Sequence, residues 1–240
     1  MKNVTSLFFI MYCLLYTSFS IASPSDWAIK LCKDQPSRYD CARYRVRRKP
    51  PHITWSEMFS NAYLTKIMIA INRRNTLIWN NHILAMPKNW SESYINHAPF
   101  LHNVEQYDKH IVVDLKQLAW AAYDQGKLID WGPANGGMKR CKETGLMKCK
   151  THTGLHFVLR LDGPGKKSDL YPPECEDKKK CGHPMPYYMP FHRDGTGLHG
   201  NKWLTGRNSS HGCVRLLKED ARWLNKEFVE VGTPVMVLDY

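Results

Sequence analysis

The sequence predicts a mainly β chain with some α, in which a strand-rich second half follows a small α/β or helical unit. Three observations carry this. Ile111-Val112-Val113-Asp114-Leu115 and Leu118 to Tyr123 are short apolar, partly β-branched runs, and Asp124-Gln125-Gly126 is a turn leading into Lys127 to Trp131. Leu155, Phe157, Leu159 and Leu161 alternate with His156, Val158, Arg160 and Asp162, the period of a half-buried strand with its apolar set inward. Within that second half, only after residue 216 does apolar spacing turn helical, at Leu217, Ala221, Leu224 and Phe228, with Glu219 and Asp220 near the positive end of that helix and Gly232 and Pro234 stopping it.

Taken in order, residues 1–22 have the form of an export signal: Lys2, an apolar run from Leu7 to Leu15, and small residues at Ser20 and Ala22, with cleavage expected after Ala22. The run is too short and too broken for a membrane span, so the membrane is met only in transit. Residues 23–52 are basic, with Arg38, Arg43, Arg45, Arg47, Arg48 and Lys49, and are expected to form a solvated linker clipped by cysteines. Residues 53–106 form a separate small unit. Trp55 to Phe59 and Leu64 to Ile71 are short helices, and Ile83 to Met86 is a strand ended by Pro87. Val235 to Leu238 closes the chain as a last strand. The net charge of +12 favours anionic surroundings such as wall polymers or phospholipid head groups, and export excludes the usual nucleic-acid reading of a basic chain.

Eight cysteines leave seven once Cys13 departs with the leader. Proximity pairs Cys32 with Cys41, Cys141 with Cys149 and Cys175 with Cys181, as expected in an oxidising compartment, although six cysteines allow about fifteen connectivities. Cys213 is the odd thiol. It stands in Ser209-Ser210-His211-Gly212-Cys213-Val214-Arg215-Leu216, behind a second His-Gly pair at His199-Gly200. A thiol attacks a carbonyl as the thiolate, so a nearby base must take its proton, and His199 and His211 are available. The Gly212 and Cys213 amides are candidates for holding a developing oxyanion. His192, His199, His211 and Cys213 suggest zinc as an alternative, but the tight paired spacing of structural zinc ligands is absent, and no metal or cofactor is expected.

The arrangement His-Gly, a loop, then Ser-His-Gly-Cys-Val-Arg-Leu resembles the L,D-transpeptidases, whose YkuD-type catalytic domain cross-links peptidoglycan through a cysteine. The resemblance covers residues 107–240. It implies a mixed β-sandwich, Cys213 as nucleophile, His199 as general base with its ring oriented by the Gly200 carbonyl, and Ser210, His211 and Gly212 shaping the pocket and oxyanion hole. It further implies Arg215 as a donor-peptide contact and acylation by carbapenems. Tyr188, in the aromatic run before His192, is a second candidate for the substrate groove. The loop between the two His-Gly pairs is shorter than usual for the family, which bears on the acceptor side of the cleft. Within residues 53–106, the helix Leu64 to Ile71, the turn from Asn72 and the strand ended by Pro87 resemble the second half of a LysM module, a glycan-binding fold, with a plain helical buttress as the alternative.

The expectation is therefore an exported cysteine acyltransferase acting on peptidoglycan tetrapeptide stems, in the periplasm, envelope or medium. Two other readings stay open. Water as acceptor makes the same acyl-enzyme a carboxypeptidase or endopeptidase, and an inert site makes the chain a wall-binding or adhesion protein.

Overall fold

The computed structural model describes residues 26–45, 49–104, 108–139, 141 and 149–240. The expected leader, Cys13, Arg47 and Arg48 lie outside them. Among the described residues no helix is long and apolar enough to cross a membrane.

Eight strands build one curled sheet. They are β5 (Lys109–Asp114), β6 (Ala119–Asp124), β7 (Lys127–Asn135), β8 (Gly154–Phe157), β9 (Met189–Pro190), β10 (Gly197–Asn201), β11 (Val214–Leu217) and β12 (Pro234–Val237), in the order β8-β12-β5-β6-β7-β11-β10-β9. Two neighbours are parallel, β10 with β11 and β12 with β5, and the rest are antiparallel. The β6–β7 hairpin closes tightly because Gln125 (φ 49°) and Gly126 (φ 73°) both take positive φ, the turn whose twist matches its strands. The curled sheet encloses a core of Ile111, Val113, Trp120, Leu198, Val214, Leu216 and Val235, completed by Ala221 of helix α4 (Lys218–Trp223) and by Leu224 and Phe228 of the π-helical turn that follows.

The N-terminal part is more structured than its composition suggests. The stretch expected to be a linker contains helix α1 (Asp26–Asp34), which buries Trp27, Ala28 and Leu31, and strand β1 (Tyr39–Arg43). A nine-residue helix with a short apolar face is easily lost against a basic background. Strand β1 pairs with β4 (Ile83–Pro87), and the two-residue strands β2 (His52–Ile53) and β3 (Ile78–Trp79) pair beside them. Helix α2 (Trp55–Met58) starts with a capping box, in which Thr54 Oγ1 takes the Glu57 amide and Glu57 takes the Thr54 amide. Helix α3 (Ala62–Asn72) is capped by Asn61 and ends at Arg73 in the left-handed region.

This unit is welded to the sheet. Ala28, Leu31, Tyr39, Ile67 and Ile71 share one core with Ala119, Ala121, Tyr123, Leu128 and Trp131 from the opposite face of β6 and β7. The Arg73 guanidinium lies 4.9 Å from the Trp27 ring and 5.0 Å from the Trp131 ring, and its Nε donates to the Gln117 carbonyl at 2.8 Å. Beyond α3, Asn75 Oδ1 accepts from the Leu204 amide at 2.6 Å and its Nδ2 donates to the Lys202 carbonyl at 2.9 Å. These contacts supply the buttress that was the alternative for this segment.

One expectation about the strands needs correction. The apolar set Leu155, Phe157, Leu159 and Leu161 faces outward at 38–47% exposure, and Val158 is the residue driven into the core at 1%. Alternation marks two faces without saying which one is covered, and β8 is an edge strand paired only with β12. Asp220 stands in the first turn of its helix, as its spacing led us to expect, and has a second role there. It turns inward to accept from Trp120 Nε1 at 3.2 Å, and burial pushes its carboxyl up to about 7.

Candidate active site

The two His-Gly pairs meet because β10 and β11 are parallel neighbours. Leu198 lies opposite Val214 and His199 opposite Arg215, so His199 and Cys213 reach the same end of the pair. Both line one cavity of about 650 Å³, together with Tyr171, Tyr188, Asp194, Ser210, His211 and Arg215.

His199 is 5% exposed. Its Nδ1 lies 2.8 Å from the Gly200 carbonyl, which can only accept, so the proton sits on Nδ1 and Nε2 carries the free lone pair. Burial, with the Arg215 charge in support, lowers this imidazole from 6.5 to about 4, so the ring is neutral at pH 7. Cys213 is the free cysteine among the described residues. Its Sγ lies 3.6 Å from the Gly195 carbonyl. Burial pushes the thiol up to about 11, against a smaller opposing pull from the Gly197 amide and the Arg215 charge. The resting pair is therefore neutral thiol and neutral imidazole.

That state predicts a reactivity profile. A thiol near 11 is ionised to only about one part in ten thousand at pH 7, so alkylation of Cys213 by iodoacetamide should climb about tenfold per pH unit from 7 to 10. A plateau beginning below pH 7 would reveal instead a preformed thiolate–imidazolium pair.

The turn ahead of Cys213 is fixed by a hydroxyl. Ser210 is 1% exposed; its Oγ accepts from the Gly212 amide at 3.1 Å and donates to the Cys213 carbonyl. The Gly212 amide is thus engaged within the turn, which leaves the Cys213 amide as the oxyanion candidate of the two. Gly212 itself has φ 129°, a conformation that side-chain-bearing residues rarely adopt. Behind the turn, Thr151 Oγ1 donates to the Gly212 carbonyl at 2.6 Å and accepts from the Gly137 amide at 2.9 Å. Tyr240 Oη donates to the Gly137 carbonyl at 3.0 Å and accepts from the Thr151 amide at 2.8 Å.

His211 lines the same cavity. Its ring stacks on Tyr171 at 4.3 Å and 19°, tying the motif to the segment just ahead of the loop closed by Cys175 and Cys181. Arg215 Nη1 reaches the Ser209 carbonyl at 3.5 Å. Tyr188 is buried; its hydroxyl donates to the Gly195 carbonyl, the group that also faces the thiol, and burial raises its phenol well above 10. The structure pairs Cys32 with Cys41, Cys141 with Cys149 and Cys175 with Cys181, with Cα–Cα distances of 5.9, 5.3 and 5.9 Å. Sequence reasoning missed Thr151, Tyr171, Asp194 and Gly195. Only tertiary contacts bring them to the motif, and no local pattern marks them.

Comparison with known proteins adds to this geometry. The sequence matches the YkuD L,D-transpeptidase catalytic domain over residues 108–237. No curated protein matches. Among solved structures, an L,D-transpeptidase (residues 123–326) from Xylanimonas cellulosilytica is 19% identical, with TM-score 0.49, over 67% of this chain and 73% of that one. L,D-transpeptidases from Mycobacterium smegmatis and Mycobacterium tuberculosis H37Rv are 20% and 23% identical, with TM-scores 0.44 and 0.43, each over 55% of this chain. The chain spans 59% and 58% of those two.

Proposed function

Because the chain belongs to the L,D-transpeptidase catalytic domain family, with residues 108–237 matched, we propose that it is an exported cysteine acyltransferase acting on peptidoglycan tetrapeptide stems. The observation that carries this reading is a free, half-buried thiol at Cys213 and a neutral His199 whose Nδ1 is committed to Gly200, both lining one cavity. In this mechanism His199 Nε2 takes the Cys213 proton as the sulfur attacks the carbonyl of the third stem residue. The Cys213 amide holds the tetrahedral oxyanion, and the imidazolium returns its proton to the departing D-alanine. An amine, most simply the side chain of a neighbouring stem, then attacks the thioester and restores the thiol.

Support for an anionic peptide comes from the cavity wall, where Arg160, Lys166, Arg193 and Arg215 outnumber Asp169 and Asp194. We assign donor contact to Arg215, pocket shaping to His211, and positioning of the nucleophile's turn to Ser210. Tyr188, held by Gly195, lines the groove. Residues 53–106 act as a brace for the 202–204 loop, and the leader-like residues 1–22 support export to the periplasm, envelope or medium.

Intact-mass spectrometry tests the reading. Native, oxidised protein incubated with a carbapenem should gain one adduct, and Cys213→Ala should gain none. An adduct of equal yield on Cys213→Ala would remove Cys213 from the chemistry.

A further inference from the structure

Beside the thiol and its base, the structure brings together another set of ligand-type side chains. His152 lies just before β8, and His192 and Asp194 form the turn after β9. Their two ring nitrogens and a carboxylate oxygen lie within 4.8 Å of one another. His152 Nε2 is 2.6 Å from Asp194 Oδ2, and His192 Nδ1 is 2.8 Å from Asp194 Oδ1. The two imidazoles stack at 3.7 Å and 16°. A third ring, His156, packs edge-on against His192 at 5.7 Å, and its Nε2 is buried without a hydrogen-bond partner.

Three features distinguish this cluster from a surface ion pair. Its donors come from two chain segments some forty residues apart, converging on one carboxylate. The carboxylate is held from behind, because Asp194 Oδ1 also accepts the Thr196 amide at 2.9 Å; such outer contacts are what orient metal ligands. An orphaned imidazole nitrogen stands in the same wall, a costly arrangement if the wall is only structural.

We propose that His152, His192 and Asp194 bind a divalent transition-metal ion of the zinc class on the rim of the catalytic cleft. Two imidazoles and one carboxylate suit zinc over magnesium or calcium, which prefer all-oxygen sites. Three protein ligands leave a position for water. The side chains are 42%, 34% and 50% exposed, so an ion enters directly from solvent. On binding, the ion replaces the protons shared with Asp194. Metal bonds of about 2.0–2.2 Å spread the ligand atoms to about 3 Å apart and swing the two rings out of their stack. The ion then anchors the turn leading into Gly195, whose carbonyl faces both Tyr188 and Cys213.

The experiment uses the full, untagged, oxidised chain with Cys213→Ala, which removes the thiol as a competing ligand and makes the result independent of the acyl-transfer reading. Titration with zinc by calorimetry, and with cobalt by its visible absorption, should give one ion per chain. Adding His152→Gln or Asp194→Asn should weaken binding by more than about tenfold, whereas adding His183→Ala, another cavity histidine, should leave it unchanged. Melting temperatures measured without metal confirm that each variant is folded. Failure of zinc to bind at one equivalent, or binding that survives both His152→Gln and Asp194→Asn, overturns the proposal.

Discussion

Replacing His199 by glutamine is expected to slow acylation of Cys213 by about 10²- to 10⁴-fold, the usual contribution of a positioned general base. The reason lies in the resting charges. With the thiol at about 11 and the imidazole at about 4, the sulfur has little nucleophilic population of its own and depends on proton transfer during attack. Time-resolved intact-mass measurement with a carbapenem gives the rate, and a near-native rate would move the base to another residue.

The same substitution should change acid stability in a predictable direction. His199 titrates at about 4 folded and near 6.5 unfolded, so between those values the unfolded chain binds more protons. Stability credited to the neutral ring is fully present above pH 6.5 and is lost as pH falls through 4. The separation corresponds to about 3 kcal/mol. Urea midpoints compared at pH 7 and pH 4 should therefore drop less for His199→Gln than for the native chain.

Gly137→Ala is expected to be the most damaging substitution outside the reacting groups. An added Cβ would stand 1.8 Å from the Cys149 carbonyl oxygen and 2.8 Å from the Thr151 amide, both backbone atoms that cannot rotate away. Relief requires parting the Gly137–Thr151–Gly212 hydrogen bonds that hold the turn before Cys213. A loss of about 3 kcal/mol or more follows, which is a melting temperature lower by about 6–12 °C in a chain of this size. Gly163→Ala meets open space and should shift stability by less than about 0.5 kcal/mol. Equal melting curves for the two variants would show that the 149–151 backbone yields freely.

Where the chain carries its information locally, the sequence was readable. The β5 and β6 runs, the Asp124 to Gly126 turn and the helical segment before Asn72 all appear at their expected places. The thiol motif is contiguous, so it too could be found without coordinates. Other features depend on what another segment covers. Leu155 to Leu161 alternate as a strand should, yet only the core can decide which face to take, and it takes Val158. Asp220 sits in a favourable helix position and still turns inward to Trp120. Thr151 and Asp194 are ordinary residues in sequence, and their roles arise from contacts made across more than forty positions.

The stacking of Trp27, Arg73 and Trp131 limits where this chain can be cut. Family resemblance draws its boundary at residue 108, but the protein is not divisible there. A fragment beginning at that point would present Ala119, Ala121, Tyr123 and Trp131 to water as one sticky plane. It would also release the Lys202 and Leu204 backbone from Asn75 and loosen the loop between His199 and Cys213. The described residues between 26 and 104 thus behave as an intramolecular subunit, and expression, crystallisation and inhibitor screening should keep both halves on one polypeptide.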